Sequence, residues 1–152
     1  MKILMVCLGN ICRSPLAHGI LQHKVDQRGL KAIIDSAGTN GLHDGEYPDS
    51  RSMEIALING IDISYQRSRQ IKRRDIEYFD LIYVMDSSNY NNVLNMTESE
   101  AEAQKVIMIM NELESGKNIN VPDPYYGGEE GFKNVFEMLD KATDLIIEKH
   151  LS

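Results

Sequence analysis

An apolar run from Ile3 to Val6 ends at Cys7, and Ser14-Pro15 then opens a helical pattern, so a buried strand, a tight loop and a helix follow one another directly. Ser14 reads as N-cap and Pro15 as the first helical position. Leu16, Ala17, Ile20, Leu21, Lys24 and Val25 keep a helical spacing until Arg28-Gly29 stops it. Ala32 to Ser36 makes a second short strand. Two short apolar strands joined by a helix indicate a right-handed βαβ unit and a parallel sheet, whose ligands belong at the strand C-termini.

The rest of the chain continues that alternation. Asp49 or Ser50 caps a helix through Asn59, with Met53, Ala56 and Leu57 inward and Gly60 as its stop. Leu81 to Met85 is a third strand, followed by Asp86-Ser87-Ser88 as the cap of a helix through Leu94, and Val106 to Met110 is a fourth. A last helix from Gly131 to His150 carries the stripe Phe132, Val135, Phe136, Leu139, Ala142 and Ile146, which covers the sheet. The basic run Arg67 to Arg74 reads as a solvated face rather than as a flank of a cleft. Glu98 to Glu102 reads as an exposed acidic helix face, with no metal site in it.

The loop between Cys7 and Arg13 holds five residues, few enough to curl the backbone so that successive N–H groups converge on an anion. The helix dipole, the Arg13 guanidinium and the Ser14 hydroxyl all favour Cys7 as a thiolate, from a free value of about 8.5. Arg13 can hold two phosphoryl oxygens in its planar fork while the amides face a third. Gly9 permits close backbone approach, and Asn10 tolerates a left-handed conformation. Two long loops, Ala37 to Ser50 and Asn118 to Gly128, leave strands at the same end of the sheet.

At 152 residues the chain suits one domain with a real core. Its 16 basic and 23 acidic residues leave a net charge of -7, which argues against nucleic acid or an anionic membrane as main partner. No apolar run approaches a membrane span, and no signal-peptide order opens the chain, so the expected location is the cytoplasm. The expected state is a monomer. Both cysteines, Cys7 and Cys12, lie in the one loop and are expected reduced. Cys7, Cys12, His18 and His23 do not make a zinc finger, which needs about twelve residues between its pairs. His43 and His150 have no partner that the sequence supplies.

Cys7-Leu8-Gly9-Asn10-Ile11-Cys12-Arg13-Ser14 resembles the signature loop of the low-molecular-weight protein tyrosine phosphatases. Asp123-Pro124-Tyr125-Tyr126 is similar to that family's acid loop. Asp35-Ser36-Ala37-Gly38-Thr39 and Met85-Asp86-x-x-Asn89 resemble further landmarks in the same order, so the likeness spans almost the whole chain. The resemblance implies an α/β fold: a single domain over 1–152 with a four-stranded parallel sheet and helices on both faces, flavodoxin-like. It implies a phosphotyrosine phosphatase acting on tyrosine-phosphorylated protein, without cofactor or metal. Cys7 would be the nucleophile, with phosphate held by Arg13 and by Leu8, Gly9, Asn10, Ile11 and Cys12.

On the same resemblance Asp123 protonates the leaving phenol, whose pKa is near 10, and then serves as base. For this its pKa must rise above the reference of about 3.9, which the phosphate charge would bring about. Asn10, Ser14 and Ser36 support the loop, Ser36 through Asn10. Leu42, Tyr125 and Tyr126 are assigned to the substrate pocket, the alternative for the tyrosines being surface anchors of their loop. Many relatives carry an aromatic residue where this sequence has Leu42, so substrate preference is expected to differ. Cys12 is implied as a reversible disulfide partner that protects Cys7.

Two enzymatic rivals share the loop. Arsenate reductases need further cysteines, which this chain lacks, and the family's protein arginine phosphatases carry threonine where this chain has Ile11. A non-catalytic phosphate-binding module needs only the nest and the arginine, so the joint presence of Cys7, Arg13 and Asp123 argues against it. Neither nucleotide-binding glycine motif occurs.

Overall fold

Successive residues of a strand point to opposite faces of its sheet, and β1 (Lys2–Cys7) is apolar on both. In the computed structural model, which describes every residue except the side chain of Tyr126, β1 is followed by α1 (Arg13–Gln27), β2 (Ile33–Gly38), α2 (Ser50–Ile58) and α3 (Arg73–Tyr78). Then come β3 (Leu81–Val84), α4 (Ser87–Leu94), α5 (Glu100–Ala103), β4 (Val106–Met108) and α6 (Gly128–Ile146). Short 3-10 turns occupy Ile109–Glu112 and Pro124–Tyr126, and a π turn spans Ile147–Leu151.

The strands form one parallel sheet in the order β2-β1-β3-β4. Ile3, Met5 and Cys7 join Tyr83 and Met85 in the core beneath α1 and α6, while Leu4 and Val6 join Ile82 and Val84 in a second core with Ile76, Phe79 and Val93. A parallel sheet covered on both faces needs continuously apolar strands, which β1, β3 and β4 supply. Leu16, Ile20 and Leu21 of α1 are wholly buried, each contributing about 1.5–3 kcal/mol. The stripe on α6 from Phe132 to Ile146 is buried as its spacing predicts. The chain leaves β1 toward β2 on one side and returns to β3 on the other, so the C-terminal end of β1, carrying Cys7, lies at the switch point where ligands bind such sheets.

Several boundaries differ from expectation. β2 runs on to Gly38, because Ala37 and Gly38 pair with Val6 and Cys7. β4 stops at Met108 and turns, and α6 begins at Gly128 rather than Gly131. The basic run is solvated only in part, at Arg67, Gln70, Lys72 and Arg74. Ser68 and Ile71 are buried, Arg69 pairs with Asp35 at 3.1 Å and Asp75 at 3.0 Å, and its last residues enter α3. Gly38 N donates to Arg69 O and Ile71 N to Gly38 O, both at 2.8 Å. The run is a strap that supplies partners to the end of edge strand β2, which would otherwise present unpaired backbone groups.

His18 of α1 is buried, its Nδ1 3.4 Å from Ser36 Oγ of β2, with the Tyr65 ring edge-on at 5.9 Å. Burial pushes its pKa down to about 4, outweighing the Asp35 carboxylate and a hydrogen bond with Gln66. The unfolded chain takes up this proton near pH 6.5. Stability is therefore fully present above that value and falls as pH drops from about 6.5 to about 4, by about 3 kcal/mol in all. His18→Gln is expected to flatten this part of the profile. Urea unfolding of both proteins at pH 7 and pH 4.5 checks it, and equal losses of stability would count against the assignment.

Candidate active site

The turn after β1 is held open from outside. Asn10 adopts φ 56°, a left-handed conformation that asparagine accepts more readily than most residues. Its amide is fully engaged: Nδ2 donates to Ser14 Oγ at 2.7 Å and to Ser36 Oγ at 3.0 Å, and Oδ1 accepts from Arg69 N at 3.1 Å. The loop carbonyls are also tied outward. Cys7 O accepts from Thr39 N at 2.9 Å, Leu8 O from Asn40 N at 3.0 Å, and Ile11 O from Asp49 N at 2.8 Å. Gly9 O accepts from Ser68 Oγ at 2.9 Å and Cys12 O from Ser52 Oγ at 3.4 Å. The N–H groups of residues 8–12, by contrast, have no acceptor among the described residues. Carbonyls bonded outward and amides left over make a concave nest for an anion. Gly38 allows it, since a Cβ there would lie 2.8 Å from Leu8 O and 3.0 Å from the Gly9 carbonyl carbon.

Cys7 is buried at 3 % exposure, with its Sγ in hydrogen-bond contact with Ser14 Oγ at 3.1 Å. Ser14 is therefore not the helix cap. The helix starts at Arg13, Cys12 occupies the cap position without a side-chain bond, and the Ser14 hydroxyl serves Asn10 and Cys7 instead. Cys12 is a free, buried thiol whose pKa is pushed up to about 12, first by burial and then by Asp49, Cys7 and Asp123. It stays protonated through the neutral range.

Arg13 is also buried, and one guanidinium nitrogen is fully committed: NH1 donates to Asp86 Oδ2 at 2.7 Å and to Val121 O at 2.9 Å. NH2 lies 3.9 Å from Asp123 Oδ2. Asp123 is 40 % exposed, and its Oδ1 accepts from Tyr125 N at 3.0 Å, closing the turn that carries it.

Cys7, Arg13 and Asp123 share a cleft of about 250 Å³. Leu8, Gly9, Ile11 and Cys12 line it, with Leu42 and Tyr125 as walls. Asn10, Ser14 and Ser36 stand behind the loop and act on it through hydrogen bonds. The side chain of Tyr126 lies outside the described residues. The sequence reading missed two lining residues, Asn40 and His43. His43 has a partner after all, Glu46 Oε2 at 2.8 Å, as His150 has Glu112 Oε2 at 2.9 Å. It read Asp86 as a helix cap, which it is, accepting from Asn89 N at 2.8 Å, but not as the carboxylate that also holds Arg13. A buried arginine needs a carboxylate partner, and an aspartate closing the neighbouring strand was the available signal.

Fold and cleft together define an α/β protein with a nest of loop amides set beside a buried cysteine and a buried arginine. Residues 2–151 match the family model described as low molecular weight phosphotyrosine protein phosphatase. A Synechocystis relative named for the same family is 44% identical over 144 residues, 93% of this chain and 91% of its own. The crystal structure of a protein tyrosine phosphatase from Entamoeba histolytica with Hepes in the active site superposes with TM-score 0.91 at 39% identity, covering 98% of this chain and 96% of that one. A Drosophila arginine phosphatase superposes with TM-score 0.92 at 28% identity, over 100% and 99% of the two chains. The chain belongs to the low molecular weight phosphotyrosine protein phosphatase family and is a phosphoric ester hydrolase. Among the described residues no helix is long and apolar enough to cross a membrane.

Proposed function

We propose that the chain hydrolyses phosphotyrosine in proteins through a cysteinyl-phosphate. The observation that carries this reading is the cleft in which unpaired loop amides, Cys7, Arg13 and Asp123 converge. Cys7 Sγ attacks phosphorus in line. An S–P bond forms and the P–O bond to the phenol breaks, while Arg13 and the loop amides hold the equatorial oxygens. Asp123 gives its proton to the departing phenolate oxygen, then takes one from the water that attacks phosphorus and breaks the S–P bond, releasing inorganic phosphate and free Cys7. Ser14 faces the sulfur throughout, and Asn10 and Ser36 keep the loop curled. The protein works as a monomer in the cytoplasm, where a reducing milieu keeps Cys7 and Cys12 as thiols that can pair reversibly under oxidation.

The fold is shared with an arginine phosphatase, so the substrate must be argued from the cleft. Ile11 lines it and offers no hydroxyl to a guanidinium phosphate or to its attacking water, whereas Leu42 and Tyr125 offer apolar faces to a phenyl ring. Phosphate release from phosphotyrosine, phosphoserine and phosphoarginine peptides, under thiol and with chelator, tests the reading. Release from phosphotyrosine is expected to exceed the other two by on the order of 10²-fold. A preference for phosphoarginine, or release needing added metal, would overturn it.

A further inference from the structure

The candidate acid stands on a loop, yet proton transfer needs it held within hydrogen-bond reach of one oxygen. Arg13 holds the start of that loop at Val121 O, and a second side chain holds the part that carries the acid. Arg51, in the first turn of α2, donates from NH1 to Tyr125 O at 3.0 Å. Its other nitrogens grip Asp49 in a fork, Nε to Oδ1 and NH2 to Oδ2, both at 3.0 Å. Asp49 in turn donates its backbone N–H to Ile11 O at 2.8 Å, inside the phosphate loop. The guanidinium carbon Cζ lies 5.1 Å from the Tyr125 ring centroid and 4.6 Å from that of Phe132 in α6. Because Asp123 Oδ1 accepts from Tyr125 N, fixing Tyr125 fixes the aspartate two residues before it. The connection therefore runs from Asp123 through Tyr125, Arg51 and Asp49 to Ile11.

We propose that Arg51 is a positioning residue for the acid step, a clasp that sets where Asp123 stands over the phosphate loop. This rests on the reading of Asp123 as acid. Arg51 is partly exposed and each contact is individually weak. Their common geometry is what matters: a planar fork satisfies a carboxylate, a carbonyl and two rings at once, which an ammonium cannot do.

The test compares kcat/KM for phenyl phosphate, whose leaving group needs a proton, with that for nitrophenyl phosphate, whose leaving group is a weak base. Asp123→Asn is expected to cost on the order of 10²-fold on phenyl phosphate. Arg51→Gln is expected to cost on the order of tenfold there while nitrophenyl phosphate changes by less than about twofold. Arg51→Lys should behave as Arg51→Gln does, and the double variant Arg51→Gln with Asp123→Asn should lose little beyond Asp123→Asn alone. Retained nitrophenyl phosphate turnover also shows that the variants are folded. Equal losses on both substrates, or losses that simply multiply in the double variant, would overturn the proposal. If Asp123→Asn itself shows no dependence on the leaving group, it is the acid assignment that fails.

Discussion

Cys7→Ser is expected to abolish phosphate release, lowering kcat by on the order of 10⁴-fold or more, while the protein still binds inorganic phosphate. The two halves of that outcome have different causes. A serine hydroxyl is a far poorer nucleophile than sulfur unless a base activates it, and the Ser14 hydroxyl in hydrogen-bond contact with Cys7 at 3.1 Å is not a base. Binding depends on groups the substitution leaves alone: the N–H groups of residues 8–12 and the Arg13 guanidinium held by Asp86 and Val121. Serine is close in size to cysteine and the site is tightly buried, so the loop has no cause to rearrange. Calorimetric titration with phosphate, beside release from a phosphotyrosine peptide, reads both halves. Turnover by Cys7→Ser near the wild-type rate would sink the mechanism, and loss of phosphate binding would mean that the amides are not the anion cradle.

The parts of this site that were legible in the sequence are those whose cause is local. An apolar strand running into a short loop and a helix places Cys7, and the five-residue spacing to Arg13 is short enough for one turn of backbone to present both. Local rules also misled. Serine before proline reads as a helix cap, but the Ser14 hydroxyl is already taken by Asn10 and Cys7, and the helix starts without a side-chain cap. The basic run looked solvated because its carboxylate partners Asp35 and Asp75 are brought to it by β2 and α3.

What was least legible is the scaffolding around the loop. Gly9 O receives the hydroxyl of Ser68, Asn10 Oδ1 the amide of Arg69, and Ile11 O the amide of Asp49. Arg13 reaches Asp86 and Val121 across 73 and 108 residues, and Arg51 reaches Tyr125 across 74. Such pairs follow from strand order and crossover, not from spacing, and no periodicity announces them. Length bounded the fold to one domain and the alternation of strands and helices made it α/β; only the β2-β1-β3-β4 order brings the ends of β1 and β3 side by side, so that Asp86 can hold Arg13.

Arg13→Lys is expected to lower kcat/KM for a phosphotyrosine peptide by on the order of 10²–10³-fold, with KM rising and kcat falling together. The charge is kept, so simple attraction for phosphate survives; what disappears is the division of labour within the guanidinium. NH1 is committed to Asp86 Oδ2 and Val121 O, which leaves NH2 and Nε to present two donors in one plane to the phosphoryl oxygens. A lysine ammonium has three donors on one atom. If it satisfies Asp86 and Val121 it withdraws from the phosphate. If it reaches the phosphate it leaves the Asp86 carboxylate and the Val121 carbonyl short of a partner, at a cost of about 1–3 kcal/mol for the group abandoned. Binding suffers because one fork contact is gone, and rate suffers because the flattening phosphoryl group at the transition state is the form that the planar fork fits. A kinetic split settles it: a rise in KM alone, with kcat unchanged, would mean that Arg13 serves ground-state binding and that the loop amides alone stabilise the transition state.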